Sequence, residues 1–164
     1  MKKDLENIFS LDGKVEVVTG ATGLLGRKHV EAIAAYGGTP VILDLLQNRV
    51  EELAGEINGR YSVNASGFIV DITDELEIEK NCARLIEKYG KIDGLVNNAA
   101  NNPKVEESSE KNFSRLENFP LNVWNQDIAV GLTGSFLCAK HYGSAISNNP
   151  DGGDIFSIYL QIWD

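Results

Sequence analysis

Three glycines in the run Thr19-Gly20-Ala21-Thr22-Gly23-Leu24-Leu25-Gly26 have the spacing to handle a phosphate. The run follows the apolar segment Val15-Glu16-Val17-Val18 and leads into a helix-period stretch. In that setting Gly20 permits a tight turn, Gly23 lets the backbone approach a pyrophosphate, and Gly26 allows close helix–strand packing. A helix starting at Leu24 and Leu25 would aim unpaired N–H groups and the positive end of its dipole at that anion. Thr22, in mid-loop, offers a hydroxyl donor. A strand–helix turn with no ligand can carry the same glycines, so a second residue has to decide. Asp44 stands 18 residues beyond Gly26 (44 − 26), at the end of the second apolar run. A carboxylate there accepts hydrogen bonds from the hydroxyls of an adenosine ribose and repels a 2′-phosphate, which predicts NAD in preference to NADP. The plainer role for Asp44 is a helix cap.

A parallel sheet would bring these residues together. Short apolar runs alternate with helix-period segments, the pattern of a parallel sheet with helices on its faces. Strands are predicted at Val15–Thr19, Pro40–Asp44, Gly67–Asp71, Leu95–Asn98 and near Ile155–Ile158. Helices are predicted at Leu24–Tyr36, Leu46–Ile57, Asp74–Tyr89 and roughly Pro120–Ser147. Gly37-Gly38 and Gly90 are helix stops, and Asp74 is an N-cap. The polar stretch Asn101–Asn118, broken by Pro103, reads as a long surface loop beside the site. Glu16 is out of character in a central strand, where both faces are usually buried. It is expected at the strand's rim, reaching water; a substitution that weakens the fold is the alternative.

The chain has 164 residues, 43% of them apolar, enough for one domain with one sizeable core. A formal charge of −9 argues against a nucleic-acid partner and against anionic membranes. Met1–Ser10 has no apolar core of a secretory signal, and no run approaches the ~18 apolar residues of a membrane span. Cys82 and Cys138 are expected as free core thiols, which with the absence of a signal points to the cytoplasm. His29 and His141 lack metal-ligand partners at useful spacing, so no metal is expected.

Taken with Asn97-Asn98-Ala99-Ala100, the glycine run resembles the short-chain dehydrogenase/reductase family, whose fourth strand ends in Asn-Asn-Ala-Gly. Asp71-Ile72 is similar to the family's acidic position after the third strand, which contacts the adenine. Trp124–Gly134 resembles the family's fourth helix, and Gly152-Gly153-Asp154-Ile155 the approach to its fifth strand. The match covers residues ~12 to ~158. It implies an α/β, Rossmann-like doubly wound parallel sheet of about five strands, incomplete at the C-terminus, forming a single NAD(P)-binding domain over 1–164. It implies an NAD-dependent oxidoreductase that transfers hydride between the nicotinamide and an alcohol or carbonyl. The implied cofactor site is Gly20, Thr22, Gly23, Leu24, Leu25, Gly26, Asp44, Asp71, Ile72, Asn98, Ala99 and Ala100. The full-length parent is expected to be a homo-oligomer, joined through its fourth helix and the helix after the fifth strand.

Departures from the family pattern bear on catalysis. The glycine spacing is Gly-x-x-Gly-x-x-Gly instead of the commoner Gly-x-x-x-Gly-x-Gly. Gly131 stands where the family usually has an Asn that organises a proton-relay water. The family's Tyr acts as proton donor or acceptor beside a Lys four residues later, which stabilises its phenolate. None of Tyr36, Tyr61, Tyr89, Tyr142 and Tyr159 has a Lys at that spacing; Tyr159 is followed by Trp163. Ser157 falls short of the family's Ser position. No catalytic residue is therefore assigned, and a cofactor-binding fragment inactive alone is expected. Reading the tail Asp154–Asp164 two bases on, suitable codons give Ile-Leu-Asn-Ile-Ser-Ser-Asp-Leu-Gly, near the family's pattern. A frameshift near Asp154 is the expectation this supports, with Leu132, Phe136, Leu137 and Ile146 left under-covered. The remaining readings are a non-catalytic NAD-binding regulatory module and a product without function.

Overall fold

In the computed structural model, residues 9–101 and 116–158 are described. Five strands, β1 (Val15–Thr19), β2 (Thr39–Asp44), β3 (Ser66–Ile69), β4 (Gly94–Asn97) and β5 (Asp154–Ser157), form one sheet in the order β3-β2-β1-β4-β5. Every pairing is parallel. The helices are α1 (Leu24–Ala35), α2 (Gln47–Tyr61), α3 (Glu75–Tyr89), α4 (Leu121–Asp127) and α5 (Ser135–Ser147). This is the doubly wound α/β sheet expected from the sequence.

Burial on both faces explains the strand composition. Val17, Val41, Leu43 and Leu95 point to the face covered by α3 and α5, where they join Ile78, Leu85, Tyr142 and Ile146. The alternate residues Val18 and Ile42 point to the face covered by α1 and α2, against Val30, Ile33, Val50, Leu53 and Ile57. Each fully buried aliphatic side chain contributes about 1.5–3 kcal/mol.

Helix boundaries follow local chemistry. The Asp74 carboxylate accepts from the N–H groups of Leu76 (2.9 Å) and Glu77 (3.3 Å), the cap predicted for α3. The long helix predicted over 120–147 is instead interrupted: a π-helical stretch, Ile128–Gly134, joins α4 to α5. Gly131 and Gly134 weaken regular helix there, and the Ser135 hydroxyl donates to the Gly131 carbonyl at 2.7 Å. Pro103 and most of the expected loop at Asn101–Asn118 lie outside the described residues; Leu116–Asn118 forms a short 3₁₀ turn. Tyr159, Trp163 and the rest of the shifted-frame tail also lie outside them.

Glu16, expected at the strand's rim reaching water, is half-buried at the second position of β1, with its carboxylate over Gly94. Ile146, expected to be under-covered, is in the core, and Leu137 is half-buried against it. Leu132 and Phe136 are exposed as expected. Both cysteines are free. Burial pushes the Cys138 thiol up to about 12, so it stays protonated and unreactive. Among the described residues no helix is long and apolar enough to cross a membrane.

Candidate functional site

The chain runs outward from β1 through β2 to β3, then returns to place β4 on the other side of β1. Such a reversal opens a crevice beyond the carboxyl ends of the two strands that flank it. Thr19-Gly20 at the end of β1 and Asn97-Asn98-Ala99 at the end of β4 meet there.

Thr19 ties the two ends together. Its Oγ accepts the N–H groups of Asn98 and Ala99, both at 3.0 Å, and donates to the Val96 carbonyl at 3.4 Å. The Asn98 side chain answers in the other direction: Nδ2 donates to the carbonyls of Thr19 (3.0 Å) and Gly20 (3.1 Å). Asn98 is thus a brace for the glycine turn, and the donors of its amide are spent on protein. The approach is so close that only glycine fits at two positions. Gly20 sits at φ +59°, and a Cβ on it would lie 2.8 Å from the Ala99 Cα. On Gly26 a Cβ would lie 2.2 Å from the Gly20 carbonyl oxygen.

Gly23 differs from both, because a Cβ there would meet only the Gly20 oxygen, at 3.3 Å. Its outer side is open, as a turn that admits a pyrophosphate requires. Behind it α1 begins with no side-chain cap and no acidic residue in its first turn, so its N-terminal dipole is free to act on an anion. Leu24 and Leu25 flank this opening as exposed apolar side chains. Ala100, after the end of β4, is exposed.

Asp44, at the end of β2, is drawn to the same turn. Its Oδ2 accepts the Thr22 N–H at 2.9 Å and the Thr22 hydroxyl at 2.7 Å, and its Oδ1 accepts the Leu45 N–H at 2.8 Å. The Ala21 N–H donates to the Leu43 carbonyl at 3.1 Å, fixing turn and strand end together. The Thr22 hydroxyl, expected as a phosphate donor, is engaged by Asp44. Asp71 stands close by, since the preceding Val70 donates its N–H to the Asp44 carbonyl at 3.2 Å. The Asp71 carboxylate accepts from the N–H (2.9 Å) and hydroxyl (2.7 Å) of Thr73. The Ile72 side chain is buried against Gly134, which leaves its backbone as the part able to face a ligand.

No proton-transfer group joins this cluster among the described residues. The Tyr142 hydroxyl is buried and donates to Asn81 Oδ1 at 2.9 Å; burial holds its pKa far above the usual tyrosine range. Ser157 Oγ accepts from Asn97 Nδ2 at 3.2 Å at the end of β5, so Ser157 serves the sheet. A serine, a tyrosine and a lysine do meet elsewhere. Ser66 Oγ lies 2.6 Å from the Tyr89 hydroxyl and bonds to Lys88, but at the start of β3, the opposite end of the sheet. His141 bonds to Glu75 at 3.0 Å between α5 and α3, and no metal-binding group of His, Cys, Asp or Glu occurs among the described residues. Thr19 and Asn97 are positions that motif reading undervalued: Thr19 bonds to residues 77 to 80 positions away in the chain, and Asn97 to Ser135 and Ser157, 38 and 60 positions away.

The sequence model of the short chain dehydrogenase family matches residues 14–159. An NAD-dependent glycerol dehydrogenase from Listeria innocua is 31% identical over 159 residues, covering 97% of this chain and 57% of the relative. An NADP-dependent mannitol dehydrogenase from Alternaria alternata is 30% identical over 146 residues, covering 85% of this chain and 50% of the relative. Among solved structures, an NAD+-bound xylitol dehydrogenase superposes with a TM-score of 0.76 at 23% identity, over 88% of this chain and 52% of that one. The chain spans about half the length of the curated relatives it matches.

Proposed function

Because the chain belongs to the short chain dehydrogenase family of oxidoreductases, we propose that it binds NAD across the crevice between β1 and β4. Bound NAD would accept or deliver the hydride exchanged with an alcohol or carbonyl. The chain's own residues would supply recognition and orientation. Gly23 and the first turn of α1 would receive the pyrophosphate, and Asp44 the adenosine ribose. Asp71 and the Ile72 backbone would border the adenine, and Ala99 and Ala100 the nicotinamide side. Asn98 and Thr19 would hold the turn in shape.

The observation that carries this reading is the Asp44 carboxylate bonded to the glycine turn itself. A fixed negative charge there disfavours a 2′-phosphate and favours free ribose hydroxyls, so NAD is the preferred cofactor. Asp44→Ala should weaken NAD binding about tenfold or more in calorimetric titration, as expected for losing hydrogen bonds to a charged group. Unchanged NAD affinity in that variant would sink the ribose assignment.

Turnover is a separate matter. No Tyr in the 164 residues is followed by Lys at the family's spacing, which favours binding without catalysis by this chain on its own. That same observation supports a second reading, a non-catalytic NAD-binding module. An assay of NADH formation over a panel of alcohols and sugars tests both, and sustained hydride transfer would overturn the inactive reading.

A further inference from the structure

The Thr22 donors of the glycine turn are committed to a carboxylate instead of to phosphate. Thr22 gives Asp44 two hydrogen bonds, from its N–H and its hydroxyl, both to Oδ2. The Leu45 N–H occupies one acceptor site of Oδ1. A carboxylate has about four acceptor sites, so three are filled and the remaining capacity lies on Oδ1. A half-buried aspartate at a strand end without such partners would sample several staggered χ1 rotamers. Bonds to an ionised acceptor are the stronger kind, and two from a single residue set the direction of the carboxylate as well as its place.

We propose that Thr22 is a positioning residue for cofactor choice, locking Asp44 so that Oδ1 meets the ribose hydroxyls. The inference rests on the proposed NAD site. Its physical content is preorganisation: a carboxylate already held in one orientation loses less freedom when the ribose arrives. A 2′-phosphate gains nothing from the same arrangement, so the effect must appear on NAD and not on NADP.

The test measures dissociation constants of NAD and NADP by calorimetry on the full chain. The proteins are wild type, Thr22→Val, Thr22→Ser, Asp44→Ala and the Thr22→Val/Asp44→Ala double variant. Thr22→Val keeps the shape and the N–H but removes the hydroxyl. It should weaken NAD about tenfold while moving NADP less than about twofold, and Thr22→Ser should restore NAD to within about twofold of wild type. In the Asp44→Ala background the valine should change NAD affinity by less than about twofold, because its partner is gone. Equal losses for both dinucleotides, or a loss that persists without Asp44, would mean a merely structural threonine and overturn the proposal. If Asp44→Ala leaves the NAD preference intact, the ribose reading fails and the proposal with it. A wild type that binds neither dinucleotide removes the NAD site and Thr22's role together. Should Thr22→Val lack a native circular dichroism spectrum, Thr22→Ala makes the same comparison.

Discussion

Glu16 occupies space that its neighbour leaves empty. Its carboxylate lies over Gly94 of β4, where an added Cβ would fall 1.8 Å from Oε2. Gly94 is also paired in register with Asp154 of β5, so acidic residues stand on either side of one glycine. Burial, then the charges of Asp93 and Asp154, push the Glu16 pKa up to about 7, against a smaller opposing pull from Lys14 and Lys91. The folded chain therefore holds a proton there that the unfolded chain releases near 4.5. Its contribution to stability is complete below that value and is lost as pH rises toward 7. The whole swing corresponds to roughly 3 kcal/mol, and partial contact with water reduces our expectation to about 1–2 kcal/mol. Thermal melts from pH 4.5 to 8 should show wild type losing stability relative to Glu16→Gln. Parallel curves for the two proteins would refute the assignment.

At the scale of elements, α2 and α3 give opposite predictions. The α2 helix contains Gly55 and Gly59, and a Cβ at either would meet nothing within 4 Å. Gly55→Ala and Gly59→Ala should each stabilise by about 0.5–1 kcal/mol, measured by urea denaturation. Asp74→Ala, by contrast, strips the cap from α3 and should cost about 1 kcal/mol in the same measurement. The cap was legible in the sequence because its cause is local: an Asp immediately before an apolar helical period. The strands were legible for a similar reason, since Val17 and Val18 or Ile42 and Leu43 must both be apolar when both faces are covered. The π-helical stretch at Ile128–Gly134 was not. Seven residues do not separate its period from that of an α-helix, and the bond from Ser135 to the Gly131 carbonyl leaves no mark on the apolar pattern. In the site, the glycines and Asp44 could be read from spacing. That Thr22 turns toward Asp44 and that Asn98 braces the turn depend on loops whose approach no spacing encodes.

At the scale of the whole molecule, some large apolar side chains are left uncovered among the described residues. Leu132 and Phe136 are 55% and 63% exposed and lie four residues apart on the run that enters α5. Burying such side chains against a second copy would recover roughly 25 cal/mol for each Å² removed from water. We expect concentration-dependent self-association through this face. Sedimentation velocity should show Leu132→Gln/Phe136→Gln shifted to monomer with its melting temperature retained; unchanged association in that variant would place the contact elsewhere.

The hydroxyl of Thr19 has a bearing on when the protein becomes able to bind. It joins β1 to residues Asn98 and Ala99, 79 and 80 positions later, and β1–β4 is the most distant pairing in the sheet by sequence. Hairpin-range contacts close early, while pairings of this span come at a larger loop-closure cost. During synthesis the glycine run emerges well before its brace, which does not exist until the chain has passed Ala99. We therefore expect the site to form only once β4 has paired with β1, well after its glycine signature has been made.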